Sequence, residues 1–269
     1  MEHLLTCTTE ELALMMAVSD HPKTARGMMD ESFGKKTERE WIAIMEAMSH
    51  QLIMKRMWDS EKEKNDENPL NEEVRSFIDK YVHSERMIRC SNLPMQSVLM
   101  LHHYEGDQWL FHLIDRDIVH EFALLESSEI KATIRDFYGI EYESYAGEQT
   151  FDLTYRDFDR LRDPKKVEKI QRKTPFTESE EHSFELFTED LKRFDWTLFN
   201  ITNFSIDSRG DQSFAENILF FLPSHRGIWI SEHQEEQDRP AHFYLADYEE
   251  WDTILQGIQD FVELQTQEA

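Results

Sequence analysis

The sequence predicts an α+β fold: an antiparallel sheet built from two quasi-symmetric ββ(β)α halves, with an N-terminal helical, winged-helix-like part. Three observations point there. The order strand, Gly turn with a nearby Trp, strand, short strand, capped helix occurs over 98–138 and again over 218–262. Each copy follows a helical stretch and a strand, at 71–91 and at 178–206. Residues before 71 carry mostly helical spacing with capping signals.

Thr8-Thr9-Glu10-Glu11 is a capping box, in which Thr8 caps and Glu11 reaches back. The helix it opens carries Leu12, Met15 and Met16 and runs to Val18, with His21-Pro22 as its stop. Thr37, three residues before Glu40, opens a second helix bearing Trp41, Ile42, Ile44, Met45 and Met48. Leu52, Met54, Met57 and Trp58 approximate a strand, and 60–68 reads as a charged loop. Asn71 caps a third helix with Val74, Phe77, Ile78 and Tyr81 on one face. Helix, helix, strand, loop, helix is compatible with a winged-helix module. DNA recognition would need a basic face on 37–48 or 71–83, and neither shows one, so a helical module for protein contacts is the alternative.

From residue 86 the pattern turns to strands. Val98–Leu101 and Trp109–Leu113 flank Glu105-Gly106-Asp107, a hairpin signal. Ile118–Leu125 is a third strand. Glu126–Glu129 then opens a helix with Ile130, Ile134, Phe137 and Tyr138, closed by Gly139. The second copy runs through Ile218–Leu222, a turn at Gly227, Ile228–Ile230, Ala241–Leu245 and a helix capped by Asp247. His120 and His242 fall at matching places. Between the copies, Thr154 caps a short helix and Pro164 opens a basic segment (Lys165, Lys166, Lys169, Arg172, Lys173), either a docking surface for an acidic partner or a solvated helix. The expected division is 1–92 and 93–269, with halves 93–139 and 197–269 joined by a helical connector 140–196. One compact domain overall is the alternative.

The 269 residues hold 29 Lys+Arg against 55 Asp+Glu, so the net charge is 29 − 55 = −26. That disfavours non-specific nucleic-acid binding and anionic membrane surfaces. Residues 1–92 hold 13 basic and 18 acidic side chains, net −5, and 93–269 hold 16 and 37, net −21. A 12% aromatic content separates the chain from disordered acidic sequences. Eight Gly give neither a dinucleotide nor a Walker pattern, and Cys7 and Cys90 give no disulfide framework or zinc spacing. The longest apolar run, Leu12–Val18, is far short of the roughly 20 residues of a membrane span. With no secretory pattern visible, the expected location is cytoplasmic.

Catalytic motifs are absent, and a non-enzyme without cofactor or metal is expected. Asp115-Arg116-Asp117 and Asp157-Phe158-Asp159 are D-x-D triplets that a chain so rich in acids produces by chance. His102 and His112, on paired strands, could join Asp115 around zinc or be ordinary sheet histidines.

The opening Leu4-Leu5-Thr6-x-x-Thr9-Glu10-Glu11-Leu12-Ala13-Leu14-Met15 resembles that of the EspG-type chaperones of type VII (ESX) secretion systems. The later Trp-bearing helix (Trp41) and the two β-rich halves, 97–113 with helix 127–138 echoed by 217–230 and 247–262, are similar to the plan of that family. The chain departs from its actinobacterial members in having few small residues and little Gly; its Lys/Glu/Ile-rich composition looks like that of a low-GC Gram-positive relative. The resemblance implies a cytoplasmic, ATP-independent adaptor that keeps a helical secreted protein or protein pair soluble until export. It carries over no residue. Such a role needs aromatic anchors; the candidates are Tyr104 and Trp109 on the first hairpin and Phe151, Tyr155 and Phe158 in the irregular middle, each of which could equally be core. Nucleic acid and membrane are not expected as partners, and a monomer or weak homodimer is. An immunity protein plugging a basic toxin site and a winged-helix transcriptional regulator are the alternatives.

Overall fold

The computed structural model describes residues 1–141, 145, 147–207, 212–235 and 237–267. It opens on a strand, β1 (Glu2–Thr8), where only a helix cap was expected. Leu5 and Cys7 turn inward while Leu4 and Thr6 face solvent, a period of two too short to stand out in sequence. β1 pairs antiparallel with β5 (Val119–Glu126), setting Cys7 opposite His120.

Thr8 then caps α1 (Thr9–Val18): its hydroxyl accepts from Glu11 N–H, and its own N–H donates to Glu11 Oε2 at 2.9 Å. The expected capping box is in place. His21-Pro22 does end α1, but Pro22 is the first residue of α2 (Pro22–Phe33). A proline at the first helical position loses no hydrogen bond and arrives with φ preset. The helix α3 (Glu38–Met54), with its capping box at Thr37 and Glu40, runs through the stretch expected as a strand. Met45, Met48 and Leu52 keep helical spacing, and Leu52 is fully buried. What remains of the expected strand is one bridge between Trp58 and Leu70. The charged loop holds a short helix, α4 (Ser60–Lys64), and α5 (Glu72–Val82) starts at its Asn71 cap.

The first strand set is β2 (Arg86–Asn92), β3 (Ser97–Glu105), β4 (Gln108–Asp115) and β5, followed by α6 (Ile130–Tyr138), which Gly139 ends at φ +53°. After β6 (Thr150–Leu153) come α7 (Tyr155–Phe158), α8 (Pro164–Lys173) and α9 (Glu178–Arg193). The second set is β7 (Phe199–Asp207), β8 (Gln212–Ser224), β9 (Gly227–His233) and β10 (Ala241–Ala246), followed by α10 (Tyr248–Gln267). The expected basic segment is thus helical, as α8.

The strands form a ten-stranded antiparallel sheet in the order β1-β5-β4-β3-β2-β7-β8-β9-β10-β6. The order reads alike from either edge. Strands β2 to β5 match β7 to β10, and β1 on β5 matches β6 on β10. Each outer strand leads into a Thr-capped helix, at Thr8 and at Thr154. The two histidines expected at matching places are offset by one residue: His120, opposite Cys7, faces inward, whereas His242, opposite Asp152, is half-exposed, and the inward pair before the Thr154 cap is Leu153 with Ala241. The repeated order therefore extends over 2–139 and 150–267, wider than the expected halves.

The chain packs as two compact units, residues 1–87, 99–125 and 205–214 in one, and 88–98, 126–204 and 215–269 in the other. The division differs from the expected boundary at 92. The reason is that Phe77 and Ile78 of α5 share a core with Leu110 of β4 and Phe122 of β5. In the second unit Phe151 and Phe187 pack against Trp229 and both meet Phe243, with the Phe151 and Phe243 rings stacked at 4.7 Å. No helix among the described residues is long and apolar enough to cross a membrane. Removing the Thr8 cap by Thr8→Ala is expected to cost about 1 kcal/mol, read as a lower urea midpoint at unchanged slope.

Candidate functional site

Helix α3 buries Leu52 completely yet leaves Ile42 62% exposed. Its apolar side chains fill more than one stripe: Trp41 with Ile42, and Ile44 with Met45, sit side by side and cannot all face one core. The surplus face, with Leu14 of α1 and Trp58, lines an open depression of about 460 Å³. Its rim carries Glu38, Glu46 and Glu63 against Arg26. The Trp58 indole N–H donates to Glu63 Oε2 at 3.0 Å. The Trp41 Nε1–H is shielded from solvent and has no hydrogen-bond partner among the described residues. A buried donor without a partner costs roughly 1–3 kcal/mol. The groove's hydroxyl, Ser49, donates to the Glu46 carbonyl at 2.9 Å and has no paired base. The site offers apolar contact and an acidic rim.

A second cluster lies inside the same unit. His102 on β3, His112 on β4 and His120 on β5 are all buried. His102 and His112 are cross-strand neighbours, their rings 5.8 Å apart. The third member is His120. Asp115, considered as a zinc partner from sequence, is half exposed beside Arg116. The Thr9 hydroxyl donates to the Asp117 carbonyl at 2.9 Å, so its oxygen accepts from His120 Nε2–H at 3.0 Å. His120 Nδ1 then accepts from His112 Nε2–H at 2.8 Å. This relay fixes both tautomers. It also ties up the His112 nitrogen that would face a shared metal. His112 Nδ1 and both nitrogens of His102 have no hydrogen-bond partner among the described residues. Burial pushes His102 down to about 3 and His120 to about 4, and holds His112 well below the usual range, where the neighbouring histidines add to the effect. Burial also pushes the Cys7 thiol up to about 12, with the Glu11 charge adding to it, so Cys7 is an unreactive thiol.

The five aromatic anchors expected from sequence divide. Trp109 is 2% exposed and Phe151 1%, which removes both as surface anchors. Trp109 packs against His103, and Phe151 faces Phe184 and Phe187 of α9. Tyr104 is half-buried with Lys80 Nζ 4.7 Å above its ring. Phe158 is half-buried against Phe220 and Phe243. Tyr155 is exposed, its hydroxyl hydrogen-bonded to the His233 ring. Trp41 and Ile42, absent from that set, supply the groove; the width of the apolar face on 38–48 is the signal that could have found them.

A family model described as "Uncharacterised protein YfjC" matches residues 25–245. No curated protein matches the chain.

Proposed function

The chain belongs to the YfjC family, and we propose that it is a non-enzymatic adaptor that holds an amphipathic helix of a partner protein in the α3 groove. The observation that carries this reading is the exposed Ile42 beside Trp41 and Met45 in an open depression with an acidic rim. Apolar side chains at i, i+3 and i+4 of the client helix would lie on Trp41, Ile42 and Met45. Three carboxylates against one guanidinium on the rim, in a chain of net charge −26, favour a client with basic flanks.

The class of client comes from the resemblance of the opening and of the two-halved sheet to the EspG-type plan. It is a helical protein, or protein pair, kept in the cytoplasm until type VII export. Co-expression with a helical export substrate encoded beside this chain is expected to yield a soluble stoichiometric complex. Ile42→Glu, on an exposed position that the fold does not need, is expected to weaken it about 30-fold or more, the range of an interface hot spot. If no such substrate co-purifies, or if Ile42→Glu binds as wild type does, the proposal fails.

A further inference from the structure

We propose that His21, Asp79 and His83 form a binding site for a divalent transition-metal ion of the zinc class. The three side chains bring their ligand atoms within 4.8 Å of one another. Asp79 Oδ1 lies 3.6 Å from His21 Nε2 and 3.3 Å from His83 Nδ1. A tetrahedral zinc with bonds of 2.0–2.1 Å sets its ligand atoms about 3.3–3.4 Å apart, so the 3.3 Å spacing is that of a metal's coordination shell and the 3.6 Å spacing lies close to it. The 3.6 Å spacing is too long for a hydrogen bond, and His83 Nδ1 is engaged elsewhere.

The local structure holds these groups in place without metal. Asp79 and His83 are one helical turn apart at the C-terminal end of α5, where i and i+4 share a face. His21 caps α2 just before Pro22, which narrows its backbone freedom, and its N–H is tied to the Met16 carbonyl. The His21 ring meets the His83 ring edge-on at 5.1 Å. Its Nε2 is shielded from solvent and has no hydrogen-bond partner among the described residues. An unpartnered ring nitrogen turned toward a carboxylate it does not reach is the second, independent sign of a missing ligand.

His83 Nδ1–H donates to the Asp79 carbonyl at 2.9 Å. Metal binding needs the other tautomer: Nδ1 gives its proton to solvent, Nε2 takes one from solvent, and the neutral ring then donates its Nδ1 lone pair to the ion. The carbonyl keeps the His83 backbone N–H, at 3.1 Å. Two imidazoles and one carboxylate leave a fourth position open, and the exposure of Asp79 and His83 lets water or a partner's side chain fill it. Imidazole ligands select against magnesium and calcium.

Titration of the chelator-treated, full-length protein with Co²⁺, followed by its visible absorption, tests the site. One ion per chain is expected, with bands displaced by Zn²⁺ and an affinity that falls as the pH drops from 8 to 6. Zn²⁺ at about a hundred times its Kd should raise the Tm by several degrees. Asp79→Asn, an exposed and isosteric change, and the double variant His21→Ala/His83→Ala are expected to abolish the bands. Should His21→Ala misfold by circular dichroism, Asp79→Asn carries the test alone. Wild-type protein without bands, or bands kept in Asp79→Asn, would overturn the site.

Discussion

Acidifying the protein from pH 7 to about 4.5 is expected to remove several kcal/mol of stability from the unit that holds the three buried histidines. In the unfolded chain each histidine takes up a proton near pH 6.5. Folded, His102 resists protonation down to about 3 and His120 to about 4, with His112 also held well below the usual range. Between those limits the unfolded state binds more protons, so stability falls as the pH falls. Above pH 6.5 both states are neutral and the full contribution is present. Each histidine gives a slope of about 1.4 kcal/mol per pH unit, and three acting together approach about 4. Total stabilities are about 5–15 kcal/mol, so two pH units suffice to threaten the fold. The net charge of −26 opposes this, because protonating carboxylates relieves repulsion. That relief begins near pH 4, and the histidines dominate from 6.5 to 5. His102→Leu separates the two effects. Neither His102 nitrogen has a hydrogen-bond partner among the described residues, so a leucine of similar volume removes a proton acceptor and no bond seen there. Urea melts at pH 7 and pH 5 should show near wild-type stability at pH 7 and a shallower fall for His102→Leu. Identical pH dependence in both proteins would refute the account.

The same cluster marks how far the sequence could be read. The strands bearing His102, His112 and His120 were legible from alternation and from the turn at Gly106. That the three rings meet was not, because it depends on pairing register and on Thr9, more than a hundred residues from Asp117 in sequence. The repeated strand order was legible because each copy carries its own Gly turn and Trp. Its outer members, β1 and β6, were not: seven and four residues with two inward apolar side chains each lie below the threshold of a periodic signal. His21-Pro22 shows a different failure. The pair stops one helix and starts the next, and local chemistry cannot say which matters. In α3, the run Met45, Met48, Leu52 is helical by spacing, yet the following Met57 and Trp58 suggested a strand; tertiary burial of Leu52 decided it. The groove was hidden for a simpler reason. A wide apolar helix face looks like core until the elements around it are placed.

The second large effect is expected at Asp190, in the other unit. This carboxylate on α9 is fully buried. Its Oδ2 accepts from the Trp229 indole N–H at 3.1 Å and from Arg226 Nη1 at 3.3 Å. Its Oδ1 has no hydrogen bond and lies 3.5 Å from Arg193 Nη1. Removing one member of a buried ion pair costs about 3–5 kcal/mol when the other charge is stranded. Here Arg226 is not stranded, since it also pairs with Glu189 at 2.8 Å and reaches solvent. The Trp229 N–H is: the indole is 1% exposed and packed against Phe151 and Phe187. That orphan costs roughly 1–3 kcal/mol. Adding the cavity left by the carboxylate and the weakened Arg226 contact, Asp190→Ala is expected to lose about 3 kcal/mol in urea unfolding. Asp190→Asn keeps an oxygen for the indole and gives up only the charge, so it should lose about half as much. A loss in Asp190→Ala below about 1 kcal/mol, or equal losses in both variants, would mean that the indole bond is not what holds Asp190 in the core.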